Sequence, residues 1–155
     1  MIRAAQLGDV PGMMELECAS ETAAHWPFEA YERAIRGEEP RRLTLVAEES
    51  GVICGMLMAM CQTSEWELEN IAVAADSRRR GLGRTLLDQL LRQAEDSGAE
   101  FVFLEVRESN QPARRLYEGA GFVRVGGRKS YYRKPLEDAA VYLKKLGGAT
   151  RENCC

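Results

Sequence analysis

The sequence has little of what several common chemistries require. One histidine, His25, and five cysteines with no C-x-x-C pair offer no zinc-ligand spacing, so no metal is expected. The odd cysteine count argues against a disulfide scaffold: Cys18, Cys54 and Cys61 read as small buried hydrophobes in a reducing compartment, and Cys154 and Cys155 have no readable role. His25 reads as structural or merely exposed. The longest uncharged apolar stretch, Val52 to Cys61, is too short to span a bilayer, and Met1-Ile2-Arg3-Ala4-Ala5-Gln6 lacks the zones of a signal peptide. A cytoplasmic protein without a membrane partner is the expectation. A formal net charge of -3 supplies no field for a polyanion, which disfavours nucleic acid as a partner.

What is present suits one globular domain. The chain has 155 residues, 45% hydrophobic and 29% charged, enough apolar surface for a core and too few residues for a second full domain. We assign 1–147 to that domain and 148–155 to a flexible tail.

Ile2 to Ala5 can begin a strand, and Asp9 is a candidate N-cap for a helix carrying Val10, Met13, Met14, Leu16 and Glu17. A short helix follows Pro27. Leu43–Glu48 and Val52–Cys61, joined by Glu49-Ser50-Gly51, predict a hairpin. Trp66–Val73 continues the meander, and strict alternation would put Glu67, Glu69, Ile71 and Val73 on one face and Trp66, Leu68, Asn70 and Ala72 on the other. Leu86, Leu87, Leu90, Leu91 and Ala94 recur at helical spacing up to Ser97-Gly98. Phe101–Val106 is nearly all apolar and suits a buried strand parallel to its predecessor across that helix. A helix capped by Ser109 or Asn110 carries Ala113, Leu116, Tyr117 and Ala120 on one stripe, and Phe122–Val125 and Ala139–Leu143 supply two last strands. The sum is a mixed sheet with helices on both faces.

Arg78-x-x-Gly81-x-Gly83 lies between a strand and a helix. Glycines there let the backbone approach a phosphate, and free N–H groups with the helix dipole attract its charge. A bare match of this kind arises by chance in roughly one chain of this length in ten. Four arginines beside a helix N-terminus oppose the dipole and repel one another, an unfavourable arrangement that a bound pyrophosphate would relieve. The stretch is neither a Walker loop nor a dinucleotide fingerprint.

Glu105 is out of place in an apolar strand. It reads equally as a carboxylate paired with an arginine such as Arg107 or as a general base facing a cleft. Tyr117 sits where a core aromatic is expected, yet its phenol is a suitable acid for a departing thiolate.

The ordered runs Asn70-Ile71-Ala72-Val73, Arg78 to Arg84, Leu104 to Asn110 and Leu116 to Phe122 resemble the GNAT acyltransferases, in particular the RimI-type ribosomal-protein-alanine N-acetyltransferases. The likeness runs from Glu67 to about Leu143. It implies an α/β (α+β) fold with a mostly antiparallel sheet of about seven strands, splayed near the fourth and fifth and flanked by about four helices. It implies acetyl-CoA as donor, with the backbone of Ile71, Ala72 and Val73 along its pantetheine arm. Arg79, Arg80, Gly81, Leu82, Gly83 and Arg84 would cradle its pyrophosphate, and Asn110 would contact it through a side chain. Glu105 would be the base and Tyr117 the acid in direct transfer to a protein's N-terminal amine, as on a ribosomal protein beginning with alanine.

This chain has Trp26-Pro27-Phe28 where that group commonly has Pro-Trp-Ser, so the acceptor wall is expected to differ. Trp26, Phe28, Tyr131, Tyr132 and Glu69 are the candidate acceptor-binding residues, and Glu67 and Glu69 are alternative bases. Acetylation of lysine or a small amine stays open, as does an acyl-CoA-sensing module without turnover.

Overall fold

The computed structural model describes residues 1–20 and 25–147. The expected tail, with Cys154 and Cys155, lies outside the described residues. The elements run β1 (Ile2–Ala4), α1 (Val10–Ala19), α2 (Phe28–Ile35), β2 (Arg42–Glu49), β3 (Val52–Cys61), β4 (Glu65–Val73), α3 (Leu82–Asp96), β5 (Phe101–Arg107), α4 (Gln111–Gly119), β6 (Val123–Arg133) and β7 (Leu136–Lys145). They form one seven-stranded sheet in the order β1-β2-β3-β4-β5-β7-β6, antiparallel throughout except where β4 meets β5.

The sheet separates two cores. On one face Leu57, Leu68, Val102 and Leu104 pack under Leu86, Leu87 and Leu90 of α3 and Tyr117 of α4. On the other, Val46, Met56, Met58 and Ala72 meet Val10, Met13 and Leu16 of α1 and Tyr31 and Ala34 of α2. Alternation along β3 sends Leu57 and Ala59 to the first and Met56 and Met58 to the second, as a strand buried on both sides requires. Gly55 permits close approach of α3, since a Cβ there would lie 3.2 Å from side-chain carbons of Leu82 and Leu86.

Four expectations need correction. Strict alternation fails in β4, because Met58 pairs with Asn70 and Ala59 with Leu68, leaving Glu69 as an extra, bulged residue. Trp66 and Leu68 therefore face α3, whereas Ala72 faces α1 and Ile71 and Val73 join the α3 side. Asp9 makes no side-chain cap to α1; its carboxylate accepts from the Gln6 N–H at 2.7 Å and from Arg3 at 2.7 and 2.9 Å. Cys18 is exposed rather than buried, while Cys54 is buried and Cys61 half-buried. The last two strands are longer than predicted, because β6 is an exposed edge with two register shifts and carries no apolar alternation to read.

Two measurements check this packing. Leu90 is fully buried, so Leu90→Ala should lower unfolding stability by about 3 kcal/mol in denaturant titration. Hydrogen bonds from Arg3 hold the Asp9 carboxyl below its ordinary 3.8, so its stabilisation is complete above that value and disappears as pH falls through the folded-state pKa. Asp9→Asn should flatten the acid side of the Tm–pH curve.

Candidate active site

Strands β4 and β5 pair over only four positions, from Glu65 with Phe101 to Leu68 with Leu104. Beyond them the strands part: β4 continues against β3 as far as Val73, and β5 against β7 as far as Arg107. Glu69 and Glu105 are the first residues past the last rung. A cavity of about 410 Å³ occupies the opening, and its walls include Glu69, Asn70 and Ile71 of β4, Glu105 of β5, and Tyr117 of α4.

Carboxylates and their cationic partners cluster on the α1–α2 side of the opening. Glu105 pairs with Arg128 of β6 at 2.9 Å, and Glu69 with Arg42 at 2.8 Å, both carboxylates being largely buried. Burial, and then the charges of Glu69 and Glu105, push the Glu67 carboxyl above the usual range. Glu69 and Glu105 are thus each matched by a guanidinium group, and Arg107 and Lys134 also line the cavity. The Tyr131 phenol is raised by hydrogen bonding to Glu105 and then by burial, and burial followed by the Glu105 charge pushes Tyr132 up to about 12.

On the opposite face, Tyr117 packs on Phe122 and Tyr142, with ring centroids 6.0 and 6.4 Å away. Burial raises its pKa, so it stays protonated through the neutral range. The start of α3 lies on this face too. Gly81 takes φ +78° as its N-cap without a side-chain cap bond, and Arg79 is also left-handed, leaving first-turn amides for an anion. Gly83 comes close to Leu116 and Val73, which a Cβ would meet at 3.4 and 3.8 Å. The repulsion expected among four arginines is lessened, because Arg80 pairs with Glu49 and Arg84 with Asp88, each at 2.9 Å, and Arg78 donates to the Val73 carbonyl.

The other sequence-derived residues divide. Asn110 lines the cavity while its Oδ1 caps α4 by accepting from the Ala113 N–H at 3.2 Å. Tyr132 lines the cavity; Trp26, Phe28 and Tyr131 do not. Trp26 reaches the site indirectly, because Arg42, the partner of Glu69, sits 4.9 Å from its ring centroid. Phe28 is 42% exposed. Arg107 pairs with Glu137 instead of Glu105. His25 lines the cavity, contrary to the reading that gave it no part in a site. The sequence reading also passed over Glu17, although a carboxylate at a core position of the apolar stripe Val10-Met13-Glu17 was the available signal.

The profile of the acetyltransferase (GNAT) family matches residues 10–122, and the chain belongs to that family. Among its relatives, a putative ribosomal protein bS18-alanine N-acetyltransferase of Bacillus subtilis is 31% identical over 140 residues, covering 90% of this chain and 91% of the relative. The ribosomal protein bS18-alanine N-acetyltransferase of Haemophilus influenzae is 44% identical over 97 residues, which is 61% of this chain and 64% of that protein. The crystal structure of the ribosomal-protein-S18-alanine N-acetyltransferase from Escherichia coli superposes with TM-score 0.83 at 29% identity, covering 99% of this chain and 97% of that one. The splayed seven-stranded fold expected from the sequence is therefore the fold observed. Among the described residues no helix is long and apolar enough to cross a membrane.

The acidic cluster makes a titration prediction. By carboxyl NMR, Glu67 should titrate above its ordinary 4.5, and Glu105→Gln should lower that value without abolishing the elevation, because burial is the leading cause.

Proposed function

We propose that this chain transfers the acetyl group of acetyl-CoA directly to the N-terminal amine of a protein, a ribosomal protein beginning with alanine being the favoured acceptor. Glu105 serves as general base and Tyr117 as general acid. One observation carries the reading: a buried carboxylate and a buried phenol from opposite faces of the sheet line one cavity, at the point where β4–β5 pairing stops.

The residues suit the donor. From Glu69 onward β4 has no ladder partner on its β5 side among the described residues, so the stretch Ile71–Val73 can offer backbone groups to the amides of a pantetheine arm. The uncapped start of α3, from Arg79 to Arg84, suits a pyrophosphate, and Asn110 stands on the cavity wall. Acetyl-CoA, when bound, supplies the activated acyl group.

The α1–α2 side, where Glu105 stands on the cavity wall, suits the acceptor. Glu105 takes up the proton released as nitrogen bonds to the acyl carbon, and Tyr117 delivers one to sulfur as the carbon–sulfur bond breaks. Juxtaposition of amine and thioester supplies much of the acceleration, and no covalent enzyme intermediate is required. The names of the bacterial relatives support the choice of acceptor.

Incubation with acetyl-CoA and peptides beginning with alanine, followed by mass spectrometry, tests donor and acceptor together. Acetyl should appear on the N-terminal nitrogen of free peptides and be absent from peptides with a blocked N-terminus. Acetylation of lysine in the blocked peptides would move the assignment to side-chain amines. Glu105→Gln should lower kcat/KM by about 100-fold. The loss should be largest at low pH, where more of the amine, of pKa about 8, must give up a proton. Tyr117→Phe should slow kcat by roughly 10- to 100-fold while acetyl-CoA affinity stays constant; lost affinity would assign Tyr117 to packing instead.

A further inference from the structure

One buried carboxylate lies beneath the cavity and is not used by the chemistry just described. Glu17 closes the apolar stripe of α1 and is 2% exposed. Its Oε1 accepts from the Tyr31 hydroxyl of α2 and from Nδ2 of Asn70 on β4, the latter at 2.9 Å. Its Oε2 accepts from the backbone N–H of Trp26 at 3.3 Å. Tyr31 is fully buried and Asn70 is 5% exposed, so the cluster is shut away from solvent.

Burial disfavours the charged form of Glu17, and a wholly apolar set of side chains in place of this cluster would fill the core without that desolvation cost. The partners suggest a different role. Asn70 is the first residue after the Glu69 bulge and lines the cavity. Trp26 sits against Arg42, which holds Glu69, and its neighbour His25 lines the cavity too. One carboxylate therefore ties the segment ahead of α2 to the bulge in β4, and both contribute to the cavity wall, through His25 on one and Glu69 and Asn70 on the other.

We propose that Glu17 is a positioning residue: it clamps the His25–Trp26 segment onto the β4 bulge and so sets the shape of the wall that receives the acceptor. The inference rests on the reading that the acceptor occupies the α1–α2 side. The clamp's side chains lie on the α1–α2 face, whereas the start of α3, proposed to hold the pyrophosphate, lies on the opposite face.

Glu17→Gln keeps the size of the side chain but replaces one accepting oxygen with a donor, and Tyr31→Phe removes a single hydrogen bond. Both variants should raise KM for an alanine-initiated peptide, Glu17→Gln by roughly five- to tenfold and Tyr31→Phe by less. KM for acetyl-CoA should stay within about twofold, and kcat at saturating peptide within about threefold. Hydrogen exchange at the Trp26 amide reads the clamp without turnover and should quicken by roughly fivefold or more in Glu17→Gln, with exchange at the start of α3 unchanged. An unaltered peptide KM in folded variants would overturn the proposal. So would a parallel rise in both KM values, which signals general loosening. A wild-type protein that acetylates no N-terminal amine would defeat the proposed function instead; Trp26 exchange then decides the clamp, and a wild-type rate in Glu17→Gln rejects it.

Discussion

The structure is organised by the parting of two neighbouring parallel strands after four rungs. Each keeps its other neighbour: β3 holds β4 to Val73, and β7 holds β5 to Arg107. The separation therefore gives up hydrogen bonds along one edge of each strand and leaves the sheet otherwise intact. Backbone groups on those edges face a cavity in place of a ladder, and buried backbone polar groups require partners. The bulge at Glu69 falls at the first position past the last rung and turns β4 over, so that Asn70 reaches Glu17 while Glu69 reaches Arg42.

Because the opening passes between two cores, it joins surroundings of different electrostatic character. On the α1–α2 side, carboxylates and guanidinium groups are concentrated at the sheet surface. On the α3–α4 side, Tyr117 lies among apolar side chains, which disfavour its ionised form. The proposed proton acceptor and proton donor thus reach one cavity from opposite faces of the sheet.

Much of this was legible in the residues. The α3 stripe of Leu86, Leu87, Leu90 and Ala94, and the apolar run of β5 interrupted by Glu105, follow from periodicity that tertiary packing did not override. The faces of β4 were hidden by the assumption of strict alternation, although the consecutive polar pair Glu69-Asn70 marks the place where pairing with β3 puts the bulge. Partner choice was equally hidden. Arg107 lies two residues from Glu105 and looked like its partner, yet the guanidinium that arrives is Arg128, carried in by β6 from the far side of β7. Long-range register decides such pairs, which is also why His25 could not be connected to a cavity made largely by residues far along the chain.

Among the described residues, the outermost strand β6 has no neighbouring strand on one side. Its exposure is nearly complete, its ladder with β7 is broken at two places, and it carries Arg124, Arg128, Lys129 and Arg133. Irregular pairing and like charges make a poor template for another molecule's backbone. The rim that delivers Arg128 to the site is consequently also the rim that resists strand-to-strand stacking, protecting the protein against ribbon-like self-association in a crowded solution.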